Sequence, residues 1–283
     1  MTVSVDTDFY PPHTMAGKAV LIGIKKANLS GGKMFSLAVL AGLFVATGAY
    51  FSTTVTSGWK DLLPFGIMRL VSGLTFATAL IMVLVAGSEL FTGNMLMVMA
   101  FLEKKISLWQ MVRNWMIVYL GNLTGSVLMA ALILLGKHYS LGKGVVGLNI
   151  LTIAESKTSL GFVQALVLGI LCNFLVCLAV WMTYSARTTT DKILAIIPPI
   201  TAFVAAGFEH SVANMYFIPV GLLVKQFGGD TFFEAIGKTA ADFPHLTLWN
   251  FLMANLLPVT LGNMIGGILL VGAIYWFIYL RRE

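Results

Sequence analysis

The chain has 283 residues, of which 58% are hydrophobic and only 11% charged, and its mean hydropathy is +0.88. This composition excludes a soluble globular domain and leaves a polytopic membrane protein as the class. The net charge of +6 comes from basic residues set between apolar runs, so it reads as a topology signal and not as a nucleic-acid surface.

Residues 1–33 form a polar lead without the basic n-region and apolar h-region of a cleavable signal peptide. Met15 to Leu29 mixes apolar and basic residues, a weak signal for a helix lying at the membrane surface. Six spans are expected after it, at 34–57, 64–102, 114–136, 159–186, 193–224 and 247–280, since about 20 apolar residues cross a bilayer. The second, fifth and sixth exceed a simple crossing, which fits breaks, tilts or extra turns. The six-span domain of residues 34–280 is followed by a short C-terminus, 281–283. An even number of spans puts both termini on one side. That side carries Lys18, Lys25, Lys26, Lys33, Lys104, Lys105, Arg113, Arg187, Lys192, Arg281 and Arg282. Against them stand Lys60, Lys137, Lys143, Lys157, Lys225 and Lys238, with Arg69 near the second span's start, so both termini are expected in the cytoplasm. Cys172 and Cys177 lie inside an apolar segment and read as small core residues; no metal site or cofactor is expected.

The second and fifth spans share a design. Ala86-Gly87-Ser88-Glu89 followed by Asn94-Met95 matches Ala206-Gly207-Phe208-Glu209 followed by Asn214-Met215 at one constant offset. The third and sixth share Gly121-Asn122 with Gly125 and Gly262-Asn263 with Gly266, a GNxxG pattern that permits close helix approach. Three helices per unit make this an inverted repeat, about 34–136 and 159–280, with two interrupted helices in an all-α membrane fold.

Ionisable groups in hydrocarbon normally face a bundle interior or a watery path. Breaks in spanning helices survive only beside protein or a cavity, and two half-helix N-termini aimed at the midplane would favour a small anion. Thr92 and Ser211 are the expected N-caps, with Gly93, Asn94, Gly207 and Asn214 around the breaks. Glu89 and Glu209 read as carboxylates that lock the breaks through buried hydrogen bonds. A lone histidine is usually a satisfied core residue, but His210 stands beside a break as the sole histidine in any span, within plausible reach of Thr92. Lys157 reads equally as a solvated loop lysine or as an anion attractor at the outer mouth. Phe76, Leu80, Leu90 and Phe203 are candidate plugs of the path.

At these residues the sequence resembles the formate–nitrite transporter family over almost its whole length. The resemblance rests on Glu89-Leu90-Phe91-Thr92-Gly93-Asn94, the run Leu171 to Trp181, Gly207-Phe208-Glu209-His210-Ser211 through Met215, and Pro258-Val259-Thr260-Leu261-Gly262-Asn263. It implies an aquaporin-like protomer in a homopentamer in the cytoplasmic membrane of a prokaryote, with one path per protomer. It also implies a central histidine at His210, a partner hydroxyl at Thr92, a pore asparagine at Asn173, an outer lysine at Lys157, and apolar constrictions at Phe76, Leu80, Leu90, Val176 and Phe203. The C-terminal half looks closest to the formate channels, whereas Gly93-Asn94 looks like the wider family, including nitrite and hydrosulfide members.

The expected activity is therefore passage of formate, or of another small conjugate base such as nitrite, acetate, lactate or hydrosulfide, with proton sharing at His210. A bare carboxylate in a dry constriction costs several kcal/mol. A neutral-solute pore would present Asn-Pro-Ala at both breaks, and neither Thr92-Gly93-Asn94 nor Ala213-Asn214-Met215 does. The spans hold no HExxH or Gly-x-Ser-x-Gly, so an intramembrane enzyme is not expected.

Overall fold

The computed structural model describes residues 9–59 and 62–281. Lys60 and Arg282, two of the basic residues used above for topology, lie outside the described residues, as do residues 1–8 and 283. The described residues form helices and no strands: α1 (Pro12–Ala27), α2 (Gly31–Val55), α3 (Phe65–Phe76), α4 (Thr78–Ala86), a 3₁₀ turn Gly93–Met97 leading into α5 (Val98–Leu102), α6 (Leu108–Leu135), α7 (Val145–Thr158), α8 (Phe162–Thr183), α9 (Thr189–Ala206), α10 (Ser211–Phe227) and α11 (Asp230–Ile236). A last long helix follows, in which α12 (Leu257–Gly267) and α13 (Ile274–Tyr279) are joined and preceded by π-helical turns at Ile268–Ala273 and Asn250–Leu256.

Six helical stretches are long and apolar enough to cross a membrane: Gly31–Val55, Phe65–Ala86, Leu108–Leu135, Phe162–Thr183, Thr189–Ala206 and Asn250–Tyr279. Their outer faces expose Leu120, Leu128, Leu132, Leu261, Leu269 and Phe277, as a hydrocarbon solvent requires. Of the three expected long spans, the second and fifth each consist of two arms. α3 and α4 are separated from α5 by an irregular segment at 87–92, and α9 from α10 by one at 207–210. The third crossing begins before the expected position 114. Ser107 and Gln110 form a reciprocal capping box there, which starts the helix at Leu108 ahead of Arg113. α7 lies between the third and fourth expected spans, where Val146, Ile150 and Ala154 form a buried stripe at helical spacing.

The GNxxG glycines set the distance between neighbours. A Cβ on Gly121 or Gly125 of α6 would enter the space of Ala38 or Val39 on α2. One on Gly262 or Gly266 of α12 would enter that of Leu166 or Ile170 on α8. The backbones therefore touch, and the asparagine between each pair of glycines reaches the partner helix. Asn122 Nδ2 donates to the Ala38 carbonyl at 2.8 Å, and Asn263 Nδ2 to the Gly169 carbonyl at 2.8 Å. Gly266→Ala is expected to destabilise the protein by about 1–3 kcal/mol through overpacking, while Gly66→Ala, with open space around it, stays within about 0.5 kcal/mol. Thermal unfolding of the detergent-solubilised variants checks this.

Candidate pore at the two broken helices

Each break is held by the same set of bonds. In the first, α4 ends on Gly87 in the left-handed conformation (φ +81°), and Glu89 N–H donates to the Leu37 carbonyl at 3.3 Å. The Glu89 carboxylate accepts from Lys26 Nζ on α1 at 2.8 Å and from Asn94 Nδ2 at 2.8 Å. Asn94 Nδ2 also donates to Asn114 Oδ1, and Asn114 Nδ2 to the Lys26 carbonyl. In the second, α9 ends on Gly207 (φ +79°) and Glu209 N–H donates to the Leu168 carbonyl at 3.3 Å. The Glu209 carboxylate accepts from Lys157 Nζ on α7 at 2.7 Å and from Asn214 Nδ2 at 2.7 Å. Asn214 Nδ2 donates to Asn255 Oδ1, and Asn255 Nδ2 to the Lys157 carbonyl.

The remaining backbone groups are served by the GNxxG asparagines. Asn122 Oδ1 accepts from Phe91 N–H, and its Nδ2 donates to the Glu89 carbonyl. Asn263 Oδ1 accepts from Ser211 N–H, and its Nδ2 donates to the Glu209 carbonyl. Both amides are fully buried, so these bonds replace those that the interrupted helices lack.

His210 lies where the two breaks meet. Its Nε2 is 2.9 Å from Thr92 Oγ1, and its Nδ1 accepts from Ala213 N–H at 3.0 Å. A backbone N–H can only donate, so Nδ1 carries no proton and a neutral ring bears its hydrogen on Nε2, directed at Thr92. The same contact makes His210 the N-cap of α10. This corrects the expectation for Ser211, which is the first helical residue and whose buried hydroxyl has no protein partner among the described residues. Thr92 makes no side-chain cap either. Its carbonyl accepts from Asn173 Nδ2 at 3.2 Å and Cys177 Sγ at 3.3 Å, which leaves its hydroxyl facing the imidazole. Gly93 begins the 3₁₀ turn without a positive φ, and a Cβ there would meet Val180 at an ordinary 3.5 Å; the left-handed glycine of this break is Gly87.

A cavity of about 450 Å³ opens on the face opposite the termini and reaches His210; Phe76, Phe203, Phe217, Lys157, Glu209 and Arg69 line it. Phe76 meets Phe203 edge-on at 5.7 Å, and Phe203 stacks on the His210 ring at 6.0 Å. The structure thus brings His210, Thr92, Asn173, Phe76 and Phe203 together. Leu80, Leu90 and Val176 are buried but do not line this cavity. Lys157 belongs to α7 and is paired with Glu209, so it is not a loop lysine. Sequence reasoning missed Lys26, Asn114, Asn255 and Arg69 as parts of the site. Asn114 precedes Asn122 by the same interval as Asn255 precedes Asn263, and that spacing would have located both.

Six crossings, two of them beside interrupted arms that meet at a buried imidazole below a cavity, define a multi-pass membrane channel or transporter. Residues 13–277 match the formate/nitrite transporter family, and the chain belongs to it. It is 44% identical over 276 residues to the formate channel FocA of Escherichia coli (strain K12), covering 98% of this chain and 96% of that one. It is 37% identical to a probable formate transporter of Methanothermobacter thermautotrophicus, covering 98% and 99%. Among solved structures it is similar to a pentameric formate channel with formate bound, with a TM-score of 0.82 at 42% identity, covering 89% of this chain and 98% of that one.

Removing one member of a buried ion pair strands the other. Lys157→Met is expected to cost about 3–5 kcal/mol, and adding Glu209→Gln to recover most of it. Unfolding midpoints of the single and double variants measure the difference.

Proposed function

We propose that the protein conducts formate across the cytoplasmic membrane, with nitrite, of the same charge and similar size, sharing the path. The reading rests above all on His210: a buried imidazole that lines a cavity walled by Phe76 and Phe203 and holds its Nε2 hydrogen on the Thr92 hydroxyl. The family match and the likeness to formate channels support it. Homopentameric assembly, cytoplasmic termini, an inverted-repeat origin and the absence of catalysis belong to the same proposal. The two matched sets of bonds around Glu89 and Glu209 support the repeat.

Formate in the cavity faces a wall of Phe76 and Phe203 that offers its charge no solvation, and crossing it bare costs several kcal/mol. Taking one proton from water in the vestibule turns it into formic acid, which crosses and returns the proton on the far side. His210 Nε2–H donates to a carboxyl oxygen in place of Thr92, and this hydrogen bond offsets the desolvation of the reacting group. The ring does not give up its only proton, because Nδ1 is held as an acceptor by Ala213. Asn173 and Cys177 fix the Thr92 carbonyl, so the hydroxyl can rotate without disturbing the backbone. Leu80, Leu90 and Val176 would complete the dry path beyond the imidazole.

His210 has two separable jobs, the cap and the donor. His210→Asn retains a good capping oxygen but no donor that reaches Thr92, whereas His210→Leu loses both. Both variants are expected to abolish formate flux driven by a pH gradient in proteoliposomes. The leucine variant alone should lose about 1 kcal/mol of stability. Unchanged flux and pH profile in either would defeat the proposed role.

A further inference from the structure

We propose that Arg69 is the anion-receiving residue of the outer cavity: its guanidinium binds a small monovalent carboxylate or oxyanion before the anion reaches His210. This rests on the reading of the protein as an anion conductor.

Two cations line the cavity, Lys157 and Arg69. Lys157 is spoken for. Its ammonium lies 2.7 Å from the Glu209 carboxylate, so the pair presents little net charge to an arriving anion. Arg69 makes no ion pair among the described residues. Its Nε donates to the Ala205 carbonyl at 2.9 Å and its Nη2 to the Val204 carbonyl, both at the C-terminal end of α9. A guanidinium has five N–H donors in a fixed fork, so these two contacts leave others for the cavity. The side chain is half-buried, with its charged end against Gly207 at the break.

This position does two things to an incoming anion. The Val204 carbonyl, which also accepts from the Gly207 N–H, and the Ala205 carbonyl carry the negative end of α9, which would repel an anion on its way to His210. Arg69 covers them and reverses the local sign. A fixed charge at the mouth of a low-dielectric cleft also raises the local concentration of counter-ions. Arginine stays charged at all relevant pH, so capture at Arg69 is independent of the protonation that governs the crossing itself.

The hydrogen-bonded frames of the two breaks correspond, but His210 and Arg69 have no counterparts, Leu90 standing 120 positions before His210. Glu89 and Glu209 are 120 positions apart, and the residue 120 positions after Arg69 is Thr189, an uncharged residue that begins α9. The guanidinium therefore gives the outer cavity a polarity that the opposite side lacks at the equivalent place.

The test is formate flux in proteoliposomes made from wild type, Arg69→Lys, Arg69→Gln and Arg69→Cys. Arg69→Gln should raise the half-saturating formate concentration about tenfold at low ionic strength while leaving the maximal flux within about twofold. Arg69→Lys should stay within about twofold of wild type, and the gap between lysine and glutamine variants should close in about 0.5 M salt. Cys172 and Cys177 are buried, so Arg69→Cys takes up thiol reagents at position 69. A cationic aminoethyl adduct should restore the low half-saturation and a neutral methyl adduct should not, which decides the matter on folded protein even if Arg69→Gln assembles poorly. Equal behaviour of the lysine and glutamine variants, or a lowered maximal flux at unchanged half-saturation, would overturn the proposal by making Arg69 an anchor for α9 alone. Wild type that moves no formate would instead defeat the functional reading.

Discussion

The whole arrangement depends on how a membrane protein can afford two interrupted helices. In hydrocarbon an unpaired peptide group costs several kcal/mol, and each break frees a handful of them. Here the replacement partners are side-chain amides. Asn122 and Asn263 each serve one N–H and one carbonyl of a break while tying it to the neighbouring helix. The lysine–glutamate pairs close the remaining side, with Lys26 and Lys157 supplied by α1 and α7, helices too short to cross. The bonds from Asn122, Asn94 and Asn114 at one break recur from Asn263, Asn214 and Asn255 at the other, and His210 and Thr92 come within one hydrogen bond of each other.

Much of this was legible in the sequence. Glutamate and asparagine are rare in apolar segments, so their recurrence around Glu89 and Glu209 stood out against the background, as did the GNxxG pair. Glycine and asparagine there carry a physical constraint, close backbone approach plus an amide to spend, and the helices pack as that constraint demands. The six crossings followed from length and apolarity alone.

What was not legible depended on contacts across the chain. Lys26 and Lys157 sit in stretches too polar for a span, and nothing local announces that each folds back onto a break. Ser211 looked the better cap because hydroxyls usually are; the imidazole took the role since its Nδ1 already faced Ala213 N–H. The left-handed residue of the first break is Gly87, six positions before Gly93. Arg69 was read as a topology charge, because its partners, the Val204 and Ala205 carbonyls, lie on a helix more than a hundred residues away.

The provenance of those amides has a consequence for biogenesis. Asn122 lies in α6 and Asn263 in α12, so each interrupted segment leaves the ribosome before the residue that satisfies it. Neither break can settle alone in lipid; each must wait, partly hydrated at the insertion machinery, until the next hydrophobic segment is synthesised. The natural unit of membrane integration in this chain is accordingly a broken helix together with its successor, released laterally as a pair.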